Sequence, residues 1–467
     1  MKKLLTIIVG VLIISCLLLV CFFAREYLLD NFDEEKAKKS ANAEMPNLDK
    51  EYLDYYELGE FDTSLPVIYI ETEDSIAIEA VQGKVSVLNN ANDGSLHNIT
   101  ETPDITLNAG VNYRGASSAH FDKKQYRIKF YKGKSMSNPY NYDLLGMGEA
   151  NEWVLHGPYL DKTLARNYMV YNLAGEIMEW APQCEYIELF VNGEYQGVYL
   201  VVEPITNGAG RLRLSKFGLL GGDCAYIVAR DREETDDEPL NNYGKTAGFT
   251  YNNLYVEYPG KAAITQKEYK WIEDDISDFE ISLYGDNYKD PELGYEKYID
   301  SDNFADYFVL NEVVMNHDAG SLSTYAYKEL GGKLMMAVWD YNNAYDNYQW
   351  FSQDYSEFYL PKTAWFDRLV TDKAFIDKVV TRYRELRQTT LSTQHMYELI
   401  DSTTTKLGDA VNRNYKVWGY TFYKNLLSGD DRDITSYEEA ISQLKSAIET
   451  RFAYLDEHIE DLYQYCN

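Results

Sequence analysis

The stretch from Asn311 to Asp346, NEVVMNHDAGSLSTYAYKELGGKLMMAVWDYNNAYD, constrains this chain more than any other. Ahead of and into it, Phe304, Tyr307, Phe308, Val314 and Met315 recur at the spacing of one helix face. Asn316 and His317 fall where that helix is expected to stop. Ser323 to Lys328 and Leu334 to Trp339 are strand-type runs, and the turn at Gly331 and Gly332 joins them into a hairpin. Asp318 precedes the hairpin and Asp340 follows it, so both are expected at the same end.

Two carboxylates disposed in this way match phosphoryl-transfer sites of the protein-kinase type. One Asp receives the proton of the substrate hydroxyl, and a second, beyond a hairpin, holds the metal that bridges the ATP phosphates. Ser323 lies five residues after Asp318, where protein kinases place a metal-binding Asn. The plainer reading of an Asp between helix and strand is a turn residue bonded to its own backbone.

With 467 residues, 45% hydrophobic and 15% aromatic, the chain can bury a large core as one big domain or two lobes. Its formal net charge of −31 speaks against non-specific nucleic-acid binding and against a surface that seeks anionic lipid. It also means that a nucleotide site would need metal ions or a local basic cluster. Cys16 and Cys21 lie in an apolar run, and Cys184, Cys224 and Cys466 show neither disulfide nor metal spacing.

Lys2 and Lys3 precede that run, which is apolar from Leu4 to Ala24 and long enough to cross a bilayer. The lysines favour a cytoplasmic N-terminus. With no small-residue cleavage site after it, residues 1–24 read as an uncleaved signal anchor, with the folded body outside the cytoplasm. The alternative is a lipoprotein signal ending at Cys16. Residues 25–64 are charged and read as a stalk.

From Leu65 the period changes to two, and VIYIET, IAIEAV and KVSVLN are strand-like, which predicts an antiparallel β-layer. In QYRIKF, Arg127 and Lys129 share one face; with Arg114, Lys123 and Lys124 they form the longest basic concentration in the body. That face is either solvated or a partner for phosphate oxygens. Asp161 is placed to cap a helix carrying Arg166 and Asn167. IELFVNGEYQGVYLVVEPI is a hairpin about Asn192 and Gly193 whose second strand ends at Glu203, a carboxylate that can pair with one of the basic residues. No phosphate-binding glycine motif occurs, NGAG at 207–210 included. Residues 231–253 are acidic and read as a solvated excursion loop. Helices dominate from Gln266. Periodicity predicts helices over 365–387 and 393–418 and a last one capped by Ser436 and Glu439.

Taken together, YRGASSAHFDKKQYRIKF, LLGMGEANEWVLHGPYLDKTLARN, VNGEYQGVYLVVEPI, GYEKYIDSDNFADYFVLNEVVMNHDAGSLSTYAYKELGGKL, VWDYNNAYDN and WFDRLVTDKAF resemble the spore-coat H (CotH) kinase family, atypical secretory-type protein kinases. The resemblance spans roughly Leu65 to Trp418. It implies an α+β, protein-kinase-like fold, with a β-rich N-terminal part (65–265) and a helical C-terminal part carrying the hairpin (266–467). It also implies an ATP- and Mg2+- or Mn2+-dependent kinase acting on protein Ser or Thr hydroxyls. Asp318 matches the family's catalytic-loop Asp, and Asp340 the first Asp of its WDFD-like metal motif. Arg114, Lys123 and Lys124 fall in the region expected to contact nucleotide phosphate, with Glu203 as a partner. Asn342 stands where WDFD has a second carboxylate, which takes one negative charge from a metal site of Asp340, Ser323 and Asn342. Asp346 is near enough in sequence to substitute. The competing reading is a catalytically inactive cell-envelope binding or assembly module.

Overall fold

Period-two alternation builds the first half of the body. The computed structural model describes residues 59–215, 222–232, 238–248, 253–347, 353–423 and 434–466. The expected membrane helix and nearly all of the stalk lie outside them. Among the described residues no helix is long and apolar enough to cross a membrane. The folded body starts slightly before Leu65, since Asp62 and Thr63 pair with Asn98 and His97.

Seven strands form a barrel: β1 (Val67–Thr72), β2 (Val81–Leu88), β3 (Ile105–Tyr113), β4 (Tyr126–Tyr131), β5 (Glu152–His156), β6 (Cys184–Val191) and β7 (Glu194–Val202). Their order is β6-β7-β5-β4-β3-β2-β1, and β1 closes the ring by pairing parallel to β6. Closure leaves no free sheet edge. The antiparallel layer expected from the sequence is therefore a barrel with one parallel seam. IAIEAV supplies only Val81 to a strand, and residues 76–80 are loop. Ile68, Val85, Phe130, Trp153 and Val201 fill the interior. Val198, Leu200 and Val202 alternate with the inward residues and pack outward into a second core. Both faces of β7 are buried, so VYLVV lacks polar alternation.

Helix α1 (Arg166–Ile177) packs on this outer flank. Asp161 does not cap it. It stands five residues ahead and accepts from the backbone N–H groups of Thr163 (3.0 Å) and Arg166 (2.9 Å), while its buried carboxylate pairs with the Arg166 guanidinium at 2.5 Å.

A second sheet comprises β8 (Tyr226–Arg230), β9 (Leu254–Tyr258), β10 (Thr324–Lys328) and β11 (Leu334–Ala337), in the order β9-β8-β10-β11, antiparallel throughout. The boundary expected at residue 265 runs through this sheet. The helices of this part are α2 (Gln266–Tyr284), α3 (Ser301–Val314), α4 (Lys373–Leu386), α5 (Thr393–Leu407), α6 (Ala410–Trp418), which packs on β7 of the barrel, and α7 (Tyr437–His458). The molecule is α+β, β-rich first and helical after. Helix α3 stops at Met315, which adopts φ 55° just before Asn316. The helix expected over 365–387 breaks where Asp372 caps α4, and the one over 393–418 breaks at Gly408, φ 46°. Ser436 caps α7 by accepting from the Glu439 N–H at 3.1 Å.

Candidate functional site

Strand register decides what meets at one end of the second sheet. Arg230 pairs with Thr324, and Tyr325 with Ala337. Asp231, Ser323 and the segment leading to Asp340 therefore lie side by side. Ser323 and Asp340 both have left-handed backbones, φ 45° and 60°, so the chain turns sharply into β10 and out of β11. Asp tolerates that region better than most residues. Ser323 Oγ donates to Asp231 Oδ2 at 3.4 Å. The loop after α3 delivers Asp318 to the same end, where its Oδ2 accepts from Asn343 Nδ2 at 3.0 Å. The two acidic loops are thus tied together.

Asp231, Asp318 and Asp340 are close enough to feel one another's charge. Burial raises Asp318 above the ordinary carboxylate range, and the bond from Asn343 offsets part of that. Burial, then the negative charge of Asp318, pushes Asp340 up to about 6. Arg114 works in the opposite direction on Asp340, and Asp231 in the same. The Arg114 guanidinium stands 5.7 Å from the ring of Trp339, the residue before Asp340.

The rest of the basic set is not with it. Lys123 and Lys124, in the bend that precedes β4, point to different partners. Lys123 is 1% exposed. Its Nζ donates to the Val198 carbonyl and to Asn414 Oδ1, each at 2.8 Å, joining the barrel to α6. Lys124 Nζ donates to the Ala119 carbonyl at 3.0 Å and lies 5.8 Å from the Tyr113 ring. Glu203 pairs with none of these: it is buried against Arg211 at 2.5 Å and accepts from the Gln183 N–H at 2.9 Å. Asp346 is likewise engaged elsewhere, accepting from the Gln353 N–H (2.8 Å) and the Tyr355 hydroxyl (3.1 Å).

Oxygen donors suited to a hard cation are present. Asn342 Nδ2 donates to Asn343 Oδ1 at 3.1 Å, while Asn342 Oδ1 is buried with no partner. A cation beside Asp340 would satisfy that atom. Among the described residues no three His, Cys, Asp or Glu side chains form a ready-made metal cage. Mg2+ does not need one, since it commonly binds one or two carboxylates and fills its shell with water and phosphate.

The acidic loop after β11 is also held from behind. The Asp340 N–H donates to Tyr171 Oη at 3.1 Å and the Tyr341 N–H to Asn167 Oδ1 at 2.6 Å. Arg166 Nε donates to the Ala344 carbonyl at 2.7 Å. The sequence reading placed Asn167 on a helix without fixing its direction, and it missed Asp231 and Asn343. Asp231 opens a run that reads as solvated, and only the pairing of β8 with β10 brings it to the site.

Residues 111–455 match the family described as CotH kinase protein. Over 238 residues the chain is 26% identical to the inner spore coat protein H of Bacillus subtilis (strain 168), an alignment covering 50% of this chain and 58% of that protein. The family match covers well over half the chain: it belongs to the CotH kinase protein family.

Proposed function

We propose that this protein transfers the γ-phosphoryl group of ATP to Ser or Thr hydroxyls of a protein substrate, using Mg2+ or Mn2+. The observation that carries this reading is the convergence of Asp318 and Asp340 at one end of the β10–β11 hairpin, with Arg114 beside Asp340. Asp318, turned by Asn343, receives the proton of the acceptor hydroxyl as its oxygen attacks phosphorus. A proton affinity above the usual Asp range suits that task. Asp340, Asn342 Oδ1 and Ser323 Oγ are the donors that would hold the metal, with Asp231 facing the same space. The metal supplies charge neutralisation at the β- and γ-phosphates. Arg114 adds a fixed positive charge. Lys124 is held at the Ala119 carbonyl, away from Asp340, and Lys123 and Glu203 brace the barrel.

A second reading, an inactive envelope-assembly module, is favoured by Asn342 in place of a carboxylate and by the relative's name as a coat protein. Thermal shift separates them. A bound nucleotide stabilises by about 2.7 kcal/mol at a hundredfold excess over its dissociation constant. Wild type and Asp318→Asn should both melt higher with ATP and Mn2+, and Asp340→Asn should not. No shift in wild type at millimolar ATP favours the module. In either reading, the apolar run 4–24 supports a membrane-tethered body outside the cytoplasm.

A further inference from the structure

The hairpin alone does not fix the position of Asp340. β11 ends at Ala337, so ladder bonding has ceased by the time the chain reaches it. Its backbone is left-handed, and the two amides that follow the turn, those of Asp340 and Tyr341, have left the sheet. Both are taken by α1. Asn167 and Tyr171 are four residues apart, hence on one helix face. They accept from the Tyr341 and Asp340 N–H groups at 2.6 and 3.1 Å.

The orientation of Asn167 is itself decided. Its Oδ1 faces an N–H, so Nδ2 is the end that meets His156 Nε2 at 2.9 Å. An amide NH2 can only donate, so His156 must present a lone pair there, with its ring proton on Nδ1. Burial, reinforced by the charge of Arg114, holds His156 down to about 3, which keeps that lone pair available at neutral pH. A chain of bonds thus runs from barrel strand β5 through His156 and Asn167 to the backbone that carries Asp340.

We infer that Asn167 and Tyr171 are positioning residues, which set the aim of Asp340 and hence the metal affinity of the site from the barrel side. This rests on the reading of Asp340 as a metal ligand. The side chains touch no reacting atom, and they act through two backbone amides. A helix that shifts relative to the hairpin would change metal binding without changing any ligand.

The test is Mn2+ binding by electron paramagnetic resonance with a non-hydrolysable ATP analogue, on full-length wild type, Asn167→Ala and Tyr171→Phe. Tyr171→Phe removes one acceptor while keeping the ring, so it preserves packing if Asn167→Ala does not fold. Each folded variant should bind Mn2+ at least tenfold more weakly. The metal concentration for half-maximal transfer should rise alike, with kcat at saturating metal within about threefold of wild type. A merely structural role would lower melting temperature and leave metal affinity alone. Variant affinities within twofold of wild type overturn the proposal and leave the kinase reading standing. A wild type that binds no Mn2+ with the analogue overturns both.

Discussion

His156 shows what burial does to one side chain. Its folded proton affinity sits at about 3, far below the 6.5 of a free imidazole. Above pH 6.5 native and unfolded chains both hold it neutral, so nothing is gained or lost. Below 6.5 the unfolded chain takes up a proton that the native one refuses, and stability falls as pH drops through that window. Two pH units cost roughly 2–3 kcal/mol from this one group, at 1.36 kcal/mol per unit. His156→Gln keeps an acceptor for Asn167 and should flatten this part of the profile. Urea midpoints at about pH 6.5 and 4.5 measure it: the wild-type drop should exceed the variant's, and equal drops would mean that His156 is not held neutral. The same scale explains why Lys123 misled. It sits next to Lys124 in a basic stretch, but its Nζ is spent on Val198 and Asn414.

At the scale of elements, the loop from α3 to β10 is shaped by Gly320. Its φ of 79° disfavours any side chain, and a Cβ would lie 2.2 Å from Thr363 Oγ1. Gly320→Ala should therefore destabilise by about 1–3 kcal/mol, the usual range for overpacking, and displace Asp318. Adding Thr363→Gly should recover part of the loss, because it removes the clashing Oγ1 and Cβ (2.2 and 2.6 Å) but not the backbone strain. Chemical denaturation of the single and double variants checks this. Element identity was widely legible: the hairpins at Asn192–Gly193 and Gly331–Gly332, the strand QYRIKF and the cap at Ser436 all follow local rules. Breaks inside periodic runs were not, because amphipathic spacing continues through Asp372 and Gly408 while the backbone turns there. Asp318 and Asp340 were legible because a hairpin fixes which residues share an end. Asp231 was not, because its position depends on a strand pairing 94 residues away in sequence, Arg230 with Thr324. Nor was Asn343, whose neighbour across space is Asp318.

Among the described residues the body combines a closed seven-stranded barrel, a separate four-stranded sheet and a set of helices. Basic and polar groups of the barrel side, Arg114, Asn167 and Arg166, reach the loops that the helical side presents. On the far side Arg451 of α7, fully buried, pairs with Glu312 of α3 at 2.8 Å and donates to the carbonyls of Tyr355 and Glu357. The helix that leads into Asp318 is therefore fixed from behind while its loop stays partly open. In a chain with net charge −31, Asp231, Asp318 and Asp340 come close enough for charge to add to burial in raising the proton affinity of Asp318 and Asp340, with Arg114 opposing that at Asp340. Phosphoryl transfer is the central claim. It is tested most directly by incubating full-length wild type and Asp318→Asn with labelled ATP and Mn2+ and mapping the labelled residues by mass spectrometry. The account predicts label on Ser or Thr with wild type and at least about a hundredfold less with Asp318→Asn, the scale of a lost general base. Equal labelling by the two proteins, or none by wild type that demonstrably binds ATP, would contradict it.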